Sequence, residues 1–327
     1  MTDQQNKAWD DYWQKATAAG FQHKEAEHAV IEQFWHQFFT VQFKQHPARV
    51  ILELACGKGA VSGLARQCLN TLSEPEKTGQ DATPHVEHYC LDYSFAAAKA
   101  TASTLNLRGA IVADGARLPL RDASVDMLFS QFGMEYAGPH ALIQATQALR
   151  KGGVLVAVIH HRDGLIYQHS ERSVSALYEV LQSDIFELAA QAFDAGFALI
   201  KGQGSEQAFQ QADRAMSTPV QQITALLKTR GPQVADGIVM QFYRDLGEMF
   251  NQMHHYEAND VRQWLHNMKQ EMLTHRQRMQ SMLDAAYDQQ AIQYLVETLS
   301  NTGLNIEQCD TISSAEGLLA WRLVARA

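Results

Sequence analysis

The chain has 327 residues, of which 46% are hydrophobic and 19% are charged, a balance typical of a protein that buries a sizeable core. Its net charge of −9 argues against binding to nucleic acid, which usually needs a basic surface. The four cysteines form no CxxC pair, the first residues carry no secretory signal pattern, and no apolar run approaches the roughly 18 residues of a membrane span. We therefore expect a cytoplasmic protein with reduced thiols, no membrane contact and no metal.

Between residues 49 and 159, short apolar runs alternate with segments of helical periodicity. The pattern predicts strands at 49–54, 86–91, 110–112, 125–130 and 154–159, and helices at 60–72, 94–105 and 140–149. A polar connection at 74–85 separates the first of these helices from the second strand. Such alternation indicates βαβ crossovers and hence a mostly parallel sheet.

From residue 162 to about residue 301 the strand signal disappears, and the sequence is rich in glutamine, methionine and alanine with helical periodicity. Strand signals return at 305–312 and 317–325, and the short link between them predicts an antiparallel hairpin. A large helical block is therefore expected to be inserted before the last two strands.

The first predicted strand ends in the sequence Glu-Leu-Ala-Cys-Gly-Lys-Gly, residues 53–59. Gly57 and Gly59 allow a sharp turn and the close approach of a ligand to the main chain, because neither has a Cβ. The N-terminus of the following helix offers free N–H groups and a positive dipole end, which suit a carboxylate or phosphate. Dinucleotide enzymes use the same turn and ordinary loops contain it, so this feature alone leaves the class open.

Asp92 directly follows the second predicted strand and precedes Tyr93 and Ser94. A carboxylate in this place can accept both hydroxyls of a ribose. Asp92 or Ser94 would also serve as the N-cap of the next helix. The two roles are compatible, and both stay open.

Residues 113–126, Ala-Asp-Gly-Ala-Arg-Leu-Pro-Leu-Arg-Asp-Ala-Ser-Val-Asp, resemble the D-x-x-x-L-P-F-x-D-x-S-F-D stretch of class I S-adenosylmethionine (SAM)-dependent methyltransferases of the UbiE/type-11 kind. Leu120 and Val125 replace aromatic residues of that stretch. The resemblance covers residue 49 to about residue 158 in order and spacing, including the Lys151-Gly152-Gly153 turn before the fifth strand. It implies a Rossmann-like domain that binds SAM and releases S-adenosylhomocysteine (SAH).

The resemblance also implies which residues bind the cofactor. Asp114 would recognise the exocyclic amine of adenine, and the N-terminal Trp9-x-x-Tyr12-Trp13 looks like a lid segment. The glycine motif of these enzymes is D/E-x-G-x-G-x-G, and Ala55 stands at its first glycine; we expect binding to survive because alanine adds only a methyl group. The residues expected to bind the cofactor are Trp13, Glu53, Ala55, Cys56, Gly57, Gly59, Asp92, Tyr93, Asp114, Gly115, Ala116, Gln131 and Phe132.

We therefore expect an α/β protein with a Rossmann-like, mostly parallel seven-stranded sheet, a C-terminal antiparallel hairpin and a large helical insert before the last two strands. Residues 1–45 are expected to form an N-terminal helical lid, residues 46–161 and 302–327 the SAM-binding domain, and residues 162–301 the insert. The insert would serve as a substrate cap or as the face of a homodimer.

The catalytic residues are unknown from the sequence, and three candidates follow the fourth and fifth strands, whose C-terminal ends face the ligand crevice in such sheets. Glu135 and Tyr136 follow the fourth strand, where helix-start and packing roles are favoured. His160 and His161 follow the fifth strand; one of them could be a base or an acceptor contact, and a purely structural pair is the alternative. The candidates are thus His160, His161 and Tyr136.

The expected function is SAM-dependent methyl transfer to a small-molecule acceptor by in-line displacement, in which positioning by the protein supplies much of the acceleration. One alternative is a nicotinamide-dependent oxidoreductase; it is disfavoured by residues 114–126 and because the glycine after Gly59 is Gly63, four positions on instead of three. Another is a non-catalytic SAM/SAH-binding scaffold protein. Neither the acceptor nor the methylated atom can be read from the sequence.

Overall fold

The computed structural model describes residues 9, 10, 12, 13, 25–72 and 86–327. The predicted polar connection at 74–85 and most of the predicted lid before residue 25 lie outside these residues. The chain divides into two compact units, residues 1–168 with 281–327, and residues 169–280.

The strands are β1 Val50–Leu54, β2 Glu87–Asp92, β3 Gly109–Val112, β4 Val125–Gln131, β5 Leu149–His160, β6 Asn305–Ser314 and β7 Gly317–Arg326. The helices are α1 Glu25–Gln45, α2 Ala60–Leu72, α3 Phe95–Thr104, α4 Pro139–Thr146, α5 Leu165–Leu181, α6 Ile185–Ile200, α7 Glu206–Arg230, α8 Ile238–Asn251, α9 Ala258–Ala285 and α10 Gln289–Asn301.

The seven strands form one sheet in the order β3-β2-β1-β4-β5-β7-β6. All pairs among strands β1 to β5 are parallel, whereas β7 is antiparallel to both β5 and β6. This arrangement confirms the predicted fold class, including the C-terminal antiparallel hairpin. It also differs from the dinucleotide-binding fold, whose strand order is 3-2-1-4-5-6.

The central strands are apolar because helices cover the sheet on both faces, as in other parallel sheets. Leu52, Leu54 and Leu128 are buried in one cluster, with helices α4 and α10. Ile51 and Phe129 are buried in the other cluster, which includes aromatic residues of α1 and apolar residues of α2. The buried aromatic residues of α1 in this cluster are Phe34, Trp35 and Phe39, and the partly buried Phe38 and Phe43 pack against them.

Asp126, the last residue of the methyltransferase-like stretch, joins three strands. Its Oδ2 accepts the main-chain N–H groups of Arg49 and Val50, each at 2.8 Å, and the Arg150 Nη1 at 2.9 Å. The carboxylate therefore fixes the start of β1 to β4 and β5. Asp126 has a structural role, at the opposite end of β1 from the glycine turn.

The prediction of a turn at residues 151–153 was wrong. The structure continues β5 through it, and the predicted helix at 140–149 ends earlier, at Thr146. Pairing between β4 and β5 steps from Val125↔Leu149 to Met127↔Val154, so the intervening residues form a bulge. Gly152 allows this bulge because it adopts a φ of 81°. The two glycines that suggested a turn instead bend a continuous strand.

The second unit, residues 169–280, is helical and has a core of its own. Its fully buried side chains include Phe193, Phe242 and Met272, contributed by α6, α8 and α9. None of the described helices combines the length and apolarity that a membrane crossing requires.

Candidate functional site

In the turn after β1, every second residue adopts the left-handed conformation. The φ values of Ala55, Gly57 and Gly59 are 54°, 50° and 75°. This backbone explains why glycine suits the position of Ala55, because a Cβ in the left-handed conformation costs roughly 1–2 kcal/mol. Gly133, in the turn after β4, compensates sterically for Ala55. A Cβ on Gly133 would lie 2.4 Å from the Cβ of Ala55. The extra methyl of Ala55 thus occupies space that Gly133 leaves open.

Asp92 connects the turn after β1 to the end of β2. Its Oδ2 accepts the N–H of Gly57 and its Oδ1 accepts the N–H of Ser94, both at 2.8 Å. Burial raises the pKa of this carboxyl, and the two N–H groups oppose the shift. The Ser94 hydroxyl is the N-cap of α3, where it accepts the N–H of Ala97 at 3.2 Å. Capping is therefore performed by Ser94, and each Asp92 oxygen keeps a lone pair for a further donor.

Thr101 is a supporting residue that the sequence did not single out. Its hydroxyl donates to the carbonyl of Gly57 at 2.8 Å. A Cβ on Gly59 would lie 2.5 Å from the Thr101 methyl carbon. Gly59 is therefore needed for the close contact between the turn and α3.

Asp114, Gly115 and Ala116 form a tight turn beyond the end of β3. The exposed Asp114 accepts the N–H of Ala116 on Oδ1 at 2.9 Å and the N–H of Arg117 on its carbonyl, also at 2.9 Å. A Cβ on Gly115 would lie 2.9 Å from the Cβ of Ala137, so this turn packs against the segment after β4.

The N-terminal aromatic residues lie directly on the glycine turn. A Cβ on Gly57 would lie 2.8 Å from two carbons of the Trp13 ring. The Ser94 hydroxyl donates to Asp10 Oδ1, and the ring of Trp9 stacks on that of Trp13. Trp13, which the resemblance placed in a lid, is therefore brought to the same place as Gly57 and Asp92. Tyr93, beside them in sequence, is exposed.

Glu53 and Gln131 lie at the ends of neighbouring strands β1 and β4. Glu53 is buried and accepts the N–H of Ser62 at 3.1 Å; burial raises its pKa to about 8. Gln131 Oε1 accepts the indole N–H of Trp35 at 2.6 Å. Both side chains are thus oriented by bonds to helices α2 and α1.

A polar pair is buried beyond the ends of β4 and β5. Glu135 Oε1 accepts both His160 Nδ1 at 2.7 Å and the main-chain N–H of His160 at 3.1 Å. Phe132 stacks on the His160 ring with a centroid separation of 4.3 Å, and Tyr136 meets the ring edge-on at 5.8 Å. His161 has other partners: it stacks on Trp321 at 4.2 Å and its Nδ1 accepts the N–H of Asp163.

The structure therefore places most of the predicted residues at the C-terminal edge of the sheet, where they follow β1, β2 and β3 on one side of the switch point and β4 on the other. The arrangement fits an adenosine: Asp92 retains acceptor capacity for ribose hydroxyls, and the turn of Gly57 lies beside it. Among the described ranges, no group of three or more histidine, cysteine, aspartate or glutamate residues is arranged to hold a metal ion.

Comparison with known proteins agrees with this geometry. Residues 52–157 match the family described as "Methyltransferase domain". No curated protein matches the chain.

Solved structures that are similar to part of this chain include a SAM-dependent methyltransferase from Mesorhizobium loti, with 22% identity, 37% of this chain and 49% of that chain covered, and a TM-score of 0.28. A SAM-dependent methyltransferase from Aquifex aeolicus has 14% identity, covers 35% and 58% of the two chains, and has a TM-score of 0.28. Haemonchus contortus phosphoethanolamine N-methyltransferase 1, solved with phosphoethanolamine and SAH, has 13% identity, 48% and 33% coverage, and a TM-score of 0.30. The chain thus spans between a third and about three fifths of the length of these proteins.

Residues 52–157 accordingly form a methyltransferase domain, whose methyl donor is SAM. The sheet order and the hydrogen-bonded glycine turn agree with this assignment.

Proposed function

We propose that the protein transfers a methyl group from SAM to a small-molecule acceptor. The single observation that carries the proposal is the bond from the Gly57 N–H to Asp92, which sets a glycine turn beside a carboxylate suited to ribose hydroxyls inside the matched methyltransferase domain. Bound SAM would supply a sulfonium methyl group that an acceptor attacks in line. The chain's own residues bind the nucleoside, orient it and exclude water.

In this proposal Asp92 accepts the ribose hydroxyls, and Asp114 with the main chain of Gly115 and Ala116 contacts the adenine. The turn of Ala55, Cys56, Gly57 and Gly59, with Glu53 behind it, holds the amino-acid end. Gln131 and Phe132, after the neighbouring strand, flank the methyl group. Trp13 and Tyr93 cover the nucleoside from the N-terminal segment and the α3 side.

The nicotinamide alternative is disfavoured by the position of β7, which pairs with β5 in the antiparallel direction, where the dinucleotide-binding fold places its sixth strand. Thermal unfolding separates the two readings, since a ligand that binds only the native state raises the melting temperature. We expect SAH to raise it and NAD to leave it unchanged.

A scaffold protein that binds SAM without turnover is the second alternative. Radiolabelled methyl groups from SAM distinguish it from an enzyme: an enzyme transfers label to members of a broad panel of small molecules, whereas a scaffold protein transfers none. We further propose that the protein acts in the cytoplasm. Its acidic net charge of −9 supports an acceptor that is not a nucleic acid.

The domain division is also a proposal. Residues 46–161 and 302–327 would bind SAM, residues 1–45 would cover it, and residues 162–301 would serve as a substrate cap or as the face of a homodimer. Sedimentation at several protein concentrations tests the second role of the insert.

A further inference from the structure

The segment after β4 and the end of β5 bury a carboxylate and an imidazole in direct contact. His160 is 2% exposed and Glu135 is 3% exposed, so their pair is almost removed from water. Because Glu135 Oε1 accepts the Nδ1 hydrogen at 2.7 Å, a neutral His160 carries its proton on Nδ1. This tautomer leaves the lone pair of Nε2 unprotonated. Among the described residues, Nε2 makes no hydrogen bond.

Two tyrosine side chains near this pair carry buried hydroxyls. The hydroxyls of Tyr136 and Tyr287 are buried and have no hydrogen-bond partner in the described part of the chain. The main-chain N–H of Tyr287 donates to the carbonyl of His160 at 2.9 Å, and the Tyr136 ring contacts the His160 ring. Burial, with the charge of Glu135 second, raises the pKa of both phenols, so each remains a neutral donor. A buried hydroxyl without a partner costs free energy unless a ligand satisfies it.

The pair also adjoins the cofactor turn. Phe132 stacks on His160, and its neighbour Gly133 packs on Ala55, two residues before Gly57. The walls around His160 are aromatic, contributed by Phe132 and Tyr136, with Trp9 edge-on to Tyr136 at 5.6 Å. Aromatic side chains favour the binding of a ligand with a planar ring. An unprotonated imidazole nitrogen can accept a proton from an acidic hydroxyl group on that ring.

We propose that the residues around His160 bind an aromatic hydroxyl acceptor, that the His160 Nε2 removes the hydroxyl proton, and that Glu135 is the positioning residue for His160. The inference rests on the proposed methyl transfer and names its acceptor class. As the oxygen lone pair forms the bond to the methyl carbon, the carbon–sulfur bond breaks and its electron pair stays on sulfur, which gives the neutral thioether of SAH. The hydroxyl proton passes to Nε2, and the resulting imidazolium is stabilised by the Glu135 carboxylate until solvent takes the proton. The hydroxyls of Tyr136 and Tyr287 donate to the oxygen on which negative charge develops.

The test uses 4-nitrophenol, whose neutral and ionised forms absorb at different wavelengths, added to the full chain saturated with SAH. The buffer is acidic enough to keep the free probe neutral. We expect the bound probe to show the phenolate band in the wild-type protein, and H160N to lose most of that band. E135Q should lower the phenolate fraction while His160 is still present. The methyl ether 4-nitroanisole has no proton and should show no such change.

Two further readouts separate a catalytic role from a structural one. Nitrogen-15 spectra of the SAH complex should show His160 protonated on Nδ1, with the resonance identified by its loss in H160N. Y136F should weaken 4-nitrophenol binding severalfold, whereas Y294F, at an exposed tyrosine of the same unit, should not. Calorimetry should find SAH affinities within twofold of wild type in H160N, E135Q and Y136F.

Absence of probe binding, a neutral band in the wild-type complex, an equal phenolate fraction in H160N, or an Nε2-protonated tautomer would each overturn the inference while leaving the proposed function intact. Failure of the wild-type protein to bind SAH would instead remove the proposed function, and this inference with it.

Discussion

The main-chain N–H of Gly57 donates to Oδ2 of Asp92 at 2.8 Å, which ties the turn after β1 to the carboxylate after β2. The second oxygen of that carboxylate is held by the N–H of Ser94. Hydrogen bonds within the protein therefore join the two turns of the candidate nucleoside site, which lie 35 residues apart in sequence. A preorganised carboxylate loses little freedom on binding, which favours affinity.

Replacement of Asp92 by asparagine tests this relationship. We expect D92N to weaken SAH binding about tenfold or more, because a hydrogen bond to a charged group is worth roughly 1.5–3 kcal/mol. Calorimetry with SAH measures the effect, and we expect D114A to bind SAH more weakly than wild type as well. The matched control is D122N, at an exposed aspartate of the same unit, which should bind like wild type. Unchanged affinity in both D92N and D114A would show that the nucleoside binds elsewhere.

Substitutions at Gly57 and Gly152 provide a second test, because both glycines have a positive φ but differ in their surroundings. A Cβ on Gly57 meets Trp13 at 2.8 Å, whereas a Cβ on Gly152 meets nothing within 4 Å. G152A should cost roughly 1–2 kcal/mol of stability from backbone strain alone and leave SAH affinity unchanged. G57A should add displacement of Trp13 to the same strain and weaken SAH binding, and G57V should abolish it. Equal SAH affinities in G57A and G152A would contradict the placement of Trp13.

The buried Glu53 predicts how stability depends on pH. Its folded pKa of about 8 lies above the ordinary value of 4.5, so the folded state holds a proton that the unfolded state has released. Stability is therefore expected to fall as pH rises from about 4.5 towards 8, by roughly 1.4 kcal/mol for each unit of pKa difference. E53Q should remove this slope and become more stable than wild type near pH 8. Urea unfolding at several pH values measures the free energy of unfolding of both proteins. If this free energy changes with pH in the same way in E53Q and wild type, the prediction is refuted.

The indole of Trp35 holds Gln131 through a bond of 2.6 Å. W35F keeps the aromatic packing of α1 but leaves the Gln131 oxygen without this donor, so we expect a loss of about 1–3 kcal/mol in the free energy of unfolding. If Gln131 flanks the methyl group, the affinity for SAM should also fall. W264F is the control: Trp264 stacks on Phe242, and its indole makes no hydrogen bond among the described residues. A larger stability loss in W264F than in W35F would count against the role of the bond.

Much of the fold could be predicted because the strands β1 to β5 and the helices between them have clear periodicity. Helix α2 was predicted with the bounds that the structure has, Ala60–Leu72. The bulge in β5 could not be predicted, because two adjacent glycines are equally compatible with a turn and with a bent strand. Only the pairing of β4 with Leu149 and Val154 distinguishes the two.

The positions of Gly57, Asp92 and Asp114 at or beyond the ends of β1, β2 and β3 were predictable because these residues follow strands in a recognisable order. The His160–Glu135 contact was not, since the residues are 25 positions apart and only strand register decides that they meet. Gly133 was missed for a similar reason: its importance arises from the methyl group of Ala55 across the sheet. The sequence did carry a signal there, since the alanine in the glycine motif needed a compensating small residue.

The pairing of β5 with β7 has a consequence for how the protein is made. Residues 154–160 of β5 are buried, and the edge of this strand that does not pair with β4 pairs with β7, which begins at Gly317. At roughly 5–20 residues per second of translation, an apolar strand edge would stay uncovered for on the order of ten seconds or more after it leaves the ribosome. Nascent chains stalled within residues 169–280 should therefore engage chaperones more strongly than the completed protein, and truncation before β7 should give insoluble product.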